Sequence, residues 1–218
     1  MPYRLDQRLA FPHPSLADED GLLAVGGDLA PDRLLLAYEH GIFPWYSEDS
    51  PILWYAPHTR FVLDPLQLKI SKSMRQFMRK DTLHCKHNTA FQDVIQRCAA
   101  VERKGQDGTW ITNDMQAAYL HLHKLGYAHS IETFDKTGKL VGGLYGIQVG
   151  DVFCGESMFA DVSNASKLAF IYLCQQFDFK LIDCQVYTEH LASLGAMDMD
   201  GNDYYQILQQ QNITPHAL

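Results

Sequence analysis

Three strand-like runs, Ala128–Phe134, Leu140–Val149 and Val152–Phe159, succeed one another with almost no chain between them. The links are Asp135-Lys136-Thr137-Gly138 and Gly150-Asp151, which carry the Asp and Gly residues that tight hairpins demand. Such short links make the three runs an antiparallel meander, and the rest of the chain must pack around it. Helical periodicity predicts Lys72–Arg79, then Ala90–Val101 with Phe91, Val94, Ile95 and Cys98 on one face. A further helix, capped by Thr112 or Asn113, runs to Leu125, where Gly126 ends it. Asn164–Phe177 and Asp203–Gln211 complete the helices, and Arg60–Leu63, Leu83–His87 and Lys180–Val186 read as strands. The predicted class is α+β with a largely antiparallel central sheet.

Residues 1–60 read differently. Pro31 opens a helix with Leu34, Leu35 and Tyr38 on its apolar face, and Gly41 stops it. The proline- and aromatic-rich stretches that follow, Gly41 to Tyr46 and Pro51 to Pro57, predict a small irregular subdomain packed on the rest. The five cysteines are odd in number, widely spaced and without a CxxC pair, which reads as reduced thiols of a cytoplasmic protein. No apolar run approaches the roughly 18 residues of a spanning helix, and no secretory pattern opens the chain, so no membrane partner is expected.

A net charge of −8 argues against coating nucleic acid through the overall field. Lys69, Lys72, Arg75, Arg79 and Lys80 nevertheless put five cations in twelve residues, and Lys72, Arg75 and Arg79 share a helix face. That face suits phosphate contacts, and an ordinary solvated helix looks the same. Trp45, Trp54 and Trp110 offer surfaces for stacking on an unpaired base or for packing.

Glu156 interrupts an apolar strand in Gly155-Glu156-Ser157-Met158-Phe159, where a carboxylate must meet a cation or donors. It is either half of an internal salt bridge or part of a site. Asp183 and Gln185, two apart in Leu181-Ile182-Asp183-Cys184-Gln185-Val186, are expected to share one strand face. Such a pair binds an amine and a carbonyl at adjacent points, or ties strand to loop. Gly155–Phe159 is not the GxSxG of a nucleophile elbow. The glycines of Val141-Gly142-Gly143-Leu144-Tyr145-Gly146 lie within a strand and point to a bulge or close backbone approach, not a phosphate loop. The histidines have no metal-ligand spacing, so no metal is expected.

Several long segments, in order over nearly the whole chain, resemble the bacterial leucyl/phenylalanyl-tRNA–protein transferases. They are Gly21–Leu29 (GLLAVGGDL), Gly41–Trp45 (GIFPW), Gly108–Thr112 (GTWIT), Ala128–Glu132 (AHSIE), Val141–Gly146, Gly155–Phe159, Asn164–Lys167 and Leu181–Gln185. The resemblance implies a small N-terminal domain, residues 1–62, and an N-acetyltransferase-like (GNAT) domain, residues 63–218, that has lost coenzyme A binding. It implies transfer of Leu, Phe or Met from aminoacyl-tRNA to proteins that begin with Arg or Lys, creating an N-terminal degradation signal, with no cofactor. By the same resemblance Trp45 and Trp110 hold the 3′-terminal adenosine and Tyr119 lines that site. Glu156 and Met158 form the pocket for the aminoacyl side chain, Asp183 and Gln185 sit at the reacting centre, and Lys72, Arg75, Arg79 and Lys80 meet the acceptor stem. A coenzyme-A acyltransferase of the same fold and a non-catalytic module for tRNA ends or N-termini are the competing readings.

Overall fold

A computed structural model of the chain describes residues 1–101 and 109–215. Gly108 of the GTWIT segment lies outside the described residues. In chain order the elements are β1 (Tyr3–Leu5), β2 (Leu22–Gly26), α1 (Pro31–Glu39), β3 (Phe43–Pro44), β4 (Leu53–Tyr55), β5 (Thr59–Leu63), α2 (Lys72–Arg79), β6 (Leu83–His87) and α3 (Phe91–Ala99). Next come α4 (Asn113–Lys124), β7 (Ala128–Asp135), β8 (Leu140–Val149), β9 (Val152–Ala160), α5 (Ala165–Gln176), β10 (Leu181–Asp183), α6 (Glu189–Ala192), β11 (Met197–Asp200) and α7 (Gly201–Leu208). Among the described residues no helix is long and apolar enough to cross a membrane.

The meander forms as its turns dictate, with β7, β8 and β9 pairing antiparallel in sequence. They are the middle of a seven-stranded sheet in the order β11-β5-β10-β9-β8-β7-β6. Only the β9–β10 pair is parallel in this sheet, because the chain crosses over through α5 before it returns. The glycines of β8 act as expected. The register slips between Tyr145 and Gly146, and a Cβ on Gly146 would strike the carbonyl oxygen of Cys154.

Alternation along the strands sends side chains to two cores. Phe61 and Leu63 of β5 and Phe153 of β9 face one cluster, with Phe170 and Leu173 of α5 and Met74 of α2. Val62, Val152 and Cys154 face the other, with Val94, Ile95 and Tyr119 from α3 and α4. Each fully buried Val, Leu, Ile or Phe contributes about 1.5–3 kcal/mol, so both faces resist exposure.

Residues 1–60 are more ordered than the sequence suggests. Four strands of two to five residues form a sheet in the order β1-β2-β4-β3, too short for any periodicity to register. Trp54 is fully buried in it, donating Nε1–H to the Gly26 carbonyl at 2.8 Å, so it offers no stacking face. The core of this small sheet is continuous with the α3/α4 side of the large one, and β5 already belongs to the large sheet.

The largest departure is at the end of β10. The expected strand Lys180–Val186 pairs only over Leu181–Asp183. Gln185 adopts a left-handed φ of 62°, and the Val186 N–H turns back to the Cys184 carbonyl at 2.8 Å. Asp183 makes that turn possible by accepting the Gln185 N–H at 2.8 Å on Oδ1, an aspartate bonding the backbone two residues on. Asp183 and Gln185 therefore do not share a strand face.

Candidate active site

A cavity of about 500 Å3 opens above β9 and β10. Its apolar wall includes Leu144, Met158, Phe170, Leu173 and Ile182, and Trp45 and Trp110 also stand on its lining. Trp45 is 37 % exposed and Trp110 half-buried, so both keep ring surface accessible. The polar groups gather where β10 ends beside the middle of β9, and Glu156, Asp183 and Gln185 all line the cavity.

Asp183 is completely buried and lies against Arg60, itself 3 % exposed. Oδ1 accepts from Arg60 Nε at 3.3 Å and from the Gln185 N–H at 2.8 Å. Oδ2 accepts from Arg60 Nη2 and from the Tyr204 hydroxyl at 2.8 Å. A carboxylate offers about four lone-pair positions, and all are filled. The guanidinium is held as firmly, between the rings of Phe43 and Tyr204 at 4.9 and 4.7 Å, with Nη1 on the Gly41 carbonyl at 3.2 Å. A charge this deeply buried is tolerable only because its partner and its remaining donors are in place.

Glu156 is wired in another way. It is 7 % exposed and has no cation partner among the described residues. The internal salt bridge that a buried carboxylate suggests belongs instead to Asp183. Oε1 of Glu156 accepts from Gln185 Nε2 at 2.7 Å and Oε2 from the Tyr119 hydroxyl at 3.1 Å. The Tyr119 hydroxyl in turn meets that of Tyr38 on α1. Burial pushes the Glu156 carboxyl up to about 7, against opposing hydrogen bonds from Tyr38 and Tyr119. Both phenols are pushed well above their usual range, by burial first and then by the Glu156 charge.

The structure thus brings Trp45, Trp110, Glu156, Met158, Asp183 and Gln185 to one cavity. Tyr119 is fully buried beneath Glu156 and does not itself line the cavity, so it reaches a ligand only through that carboxylate. Gln185 bridges the two acids: its backbone is fixed by Asp183 and its amide by Glu156. Lys72, Arg75 and Arg79 on α2 and Lys80 just after it are all exposed; Met74 of the same helix is buried, and Ser71 caps its first turn. Arg60 and Tyr204 were not singled out from the sequence. An arginine opening the apolar strand Phe61-Val62-Leu63 was a signal for the first; Tyr204 carried none.

A family model described as leucyl/phenylalanyl-tRNA protein transferase matches residues 62–209, and one described as the N-terminal domain of that transferase matches residues 27–58. A leucyl/phenylalanyl-tRNA–protein transferase of Flavobacterium johnsoniae is 52% identical over 212 residues, 96% of this chain and 100% of that protein. Its counterpart in Syntrophus aciditrophicus is 56% identical over 195 residues, 88% of this chain and 81% of that one. Among solved structures, FemX matches with a TM-score of 0.50 at 10% identity, covering 83% of this chain and 71% of that chain, which is a likeness of fold.

Proposed function

The chain belongs to the leucyl/phenylalanyl-tRNA–protein transferase family, and from that premise we propose that its cavity is where an aminoacyl group passes from tRNA to a protein N-terminus. The observation that carries this reading is one cavity combining an apolar wall, two accessible tryptophans and a polar end at Glu156 and Gln185. Leu, Phe or Met side chains suit the wall around Leu144, Met158 and Phe170. An apolar pocket separates such residues by only about 1–3 kcal/mol per methylene, so all three are accepted. Trp45 and Trp110 stack on the 3′-terminal adenosine, and Lys72, Arg75, Arg79 and Lys80 meet acceptor-stem phosphates. The acceptors begin with Arg or Lys, and the added residue marks them for degradation.

The aminoacyl ester is already activated, so aminolysis runs downhill, and the protein's task is alignment and stabilisation of the oxyanion. Asp183 acts through Gln185. By fixing the left-handed backbone it aims the amide so that Nε2 meets Glu156 and Oε1 is left to accept from the attacking amine.

The test mixes the protein with leucyl-tRNA and an Arg-initiated peptide, without coenzyme A or ATP. A mass gain of one leucine on the peptide is expected. Binding without mass gain would make the chain a recognition module, and transfer only with an acyl-coenzyme A would make it an acyltransferase of the commoner kind.

A further inference from the structure

Aminolysis by an N-terminal amine must dispose of one proton overall. The acceptor arrives as an ammonium ion, since an α-amine titrates near 7.7–8.0, and leaves as a neutral amide. Two groups at the polar end are carboxylates, and only one has room. All four lone-pair positions of Asp183 are occupied by Arg60, Tyr204 and the Gln185 N–H. Glu156 accepts only from neutral donors, Gln185, Tyr119 and Tyr38, has no cation partner among the described residues, and lines the cavity beside Gln185. The Cys184 thiol, also on the lining, is pushed well up by burial and is no base at neutral pH. His190 lines the cavity from α6, where burial and then Lys167 lower it, but its buried Nε2 has no hydrogen bond that ties it to Gln185 or Glu156.

We propose that Glu156 is the catalytic base, taking the proton from the α-ammonium of the acceptor while Gln185 steers that amine to the ester. This rests on the aminoacyl-transfer reading of the same cavity. One N–H proton passes to a Glu156 carboxylate oxygen, and the freed lone pair forms the N–C bond to the ester carbonyl carbon. The tetrahedral oxyanion collapses, the C–O bond to the ribose breaks, and the ribose oxygen leaves with a second amine proton as a hydroxyl. The protonated Glu156 then releases its proton to water, which restores the starting charge. A carboxyl raised to about 7 is nearly matched to an α-amine, where an ordinary glutamic acid would be several pH units too weak. Burial sets this first, and then Tyr38 on α1, Tyr119 on α4, Asp183 on β10 and Arg60 on β5; Cys154, on β9 itself, feels the Glu156 charge in turn.

The experiment is single-turnover transfer from saturating leucyl-tRNA to an Arg-initiated peptide between about pH 5.5 and 9, with the parent chain, Glu156→Gln and His190→Gln. The parent rate should rise with pH and bend near 7. Glu156→Gln should transfer about 100- to 1,000-fold more slowly at pH 7 with donor affinity nearly unchanged, and should lose the bend, keeping only the amine's own titration. His190→Gln should keep the bend. A Glu156→Gln profile parallel to that of the parent, or loss of the bend in His190→Gln instead, overturns the assignment. The infrared band of protonated carboxyl groups in the parent gives a check that needs no variant: it should contain a component that vanishes with the midpoint of the kinetic bend, and its absence also overturns the assignment. If the parent transfers nothing at any pH, the reading of the cavity fails, and the role of Glu156 falls with it.

Discussion

Glu156 and Asp183 are carboxylates of comparable burial on neighbouring strands, and their surroundings are opposite in kind. Asp183 sits opposite a guanidinium with every oxygen position filled, whereas Glu156 has neutral donors and open positions facing a cavity. The first arrangement locks a charge and shapes the chain around it. The second keeps a charge uncomfortable and so leaves it able to take a proton. Burial alone does not distinguish a structural acid from a chemical one; the number of occupied lone pairs does.

The sharpest way to break this contrast is Arg60→Met, which strands Asp183 without its cation. It should cost about 3–5 kcal/mol in urea unfolding. Adding Asp183→Leu should recover much of that stability while transfer stays lost, because the Gln185 N–H has no acceptor. A loss below about 1 kcal/mol from Arg60→Met, the range of an exposed pair, would mean that the two acids are held alike.

A smaller effect belongs to Glu156 and depends on pH. Its folded value, about 7, lies above the ordinary 4.5, so its protonated form favours the fold. That contribution is complete below pH 4.5 and is lost as pH rises to about 7. The span amounts to about 3 kcal/mol. Stability of the parent relative to Glu156→Gln should therefore fall by this order across the window, and a constant difference would remove the contrast.

On the cavity lining, Trp110→Ala should weaken binding of a minimal aminoacyl-adenosine by about 1–3 kcal/mol. Normal affinity with a lowered unfolding midpoint would assign Trp110 to packing. The smallest effect on the fold is expected at α2, remote from both acids. Reversing Arg75 and Arg79 should leave stability within about 0.5 kcal/mol and flatten the slope of log affinity for tRNA against log salt by roughly 1–2. An unchanged slope would detach α2 from the nucleic acid.

What the sequence made legible was local. The hairpin turns at Asp135–Gly138 and Gly150-Asp151, the helix α2 and the start of α4, capped by Thr112 of the two candidates, are written in residues a few positions apart, and all appear as read. The chemistry-bearing residues were also legible as types, since Glu156 and Asp183 interrupt apolar strands. Their wiring was not. The Arg60–Asp183 pair spans 123 residues and the Gln185–Glu156 bond 29, and no periodicity records either. Gln185 was misread because a left-handed φ at a residue with a side chain needs an outside hold, here the Asp183 carboxylate. Short strands such as β3 and β4 escaped for want of length.

The three residues of β10 have a consequence for biosynthesis. In the large sheet they lie between β5 and β9, and among the described residues no other strand pairs β5 or β11 with the meander. A ribosome delivers β5 early and its two partners, β10 and β11, late, so both edges of β5 stay unsatisfied, open to pairing with other chains, through most of synthesis. The meander, built from neighbouring runs, closes as soon as it emerges, while the insertion of β10 must wait and must close a long loop. Arg60 meets Asp183 only at that step, and Gln185 takes its turn only after it. A nascent chain therefore carries the meander but no active site, and activity begins in one late event, when β10 and then Tyr204 on α7 have cleared the exit tunnel.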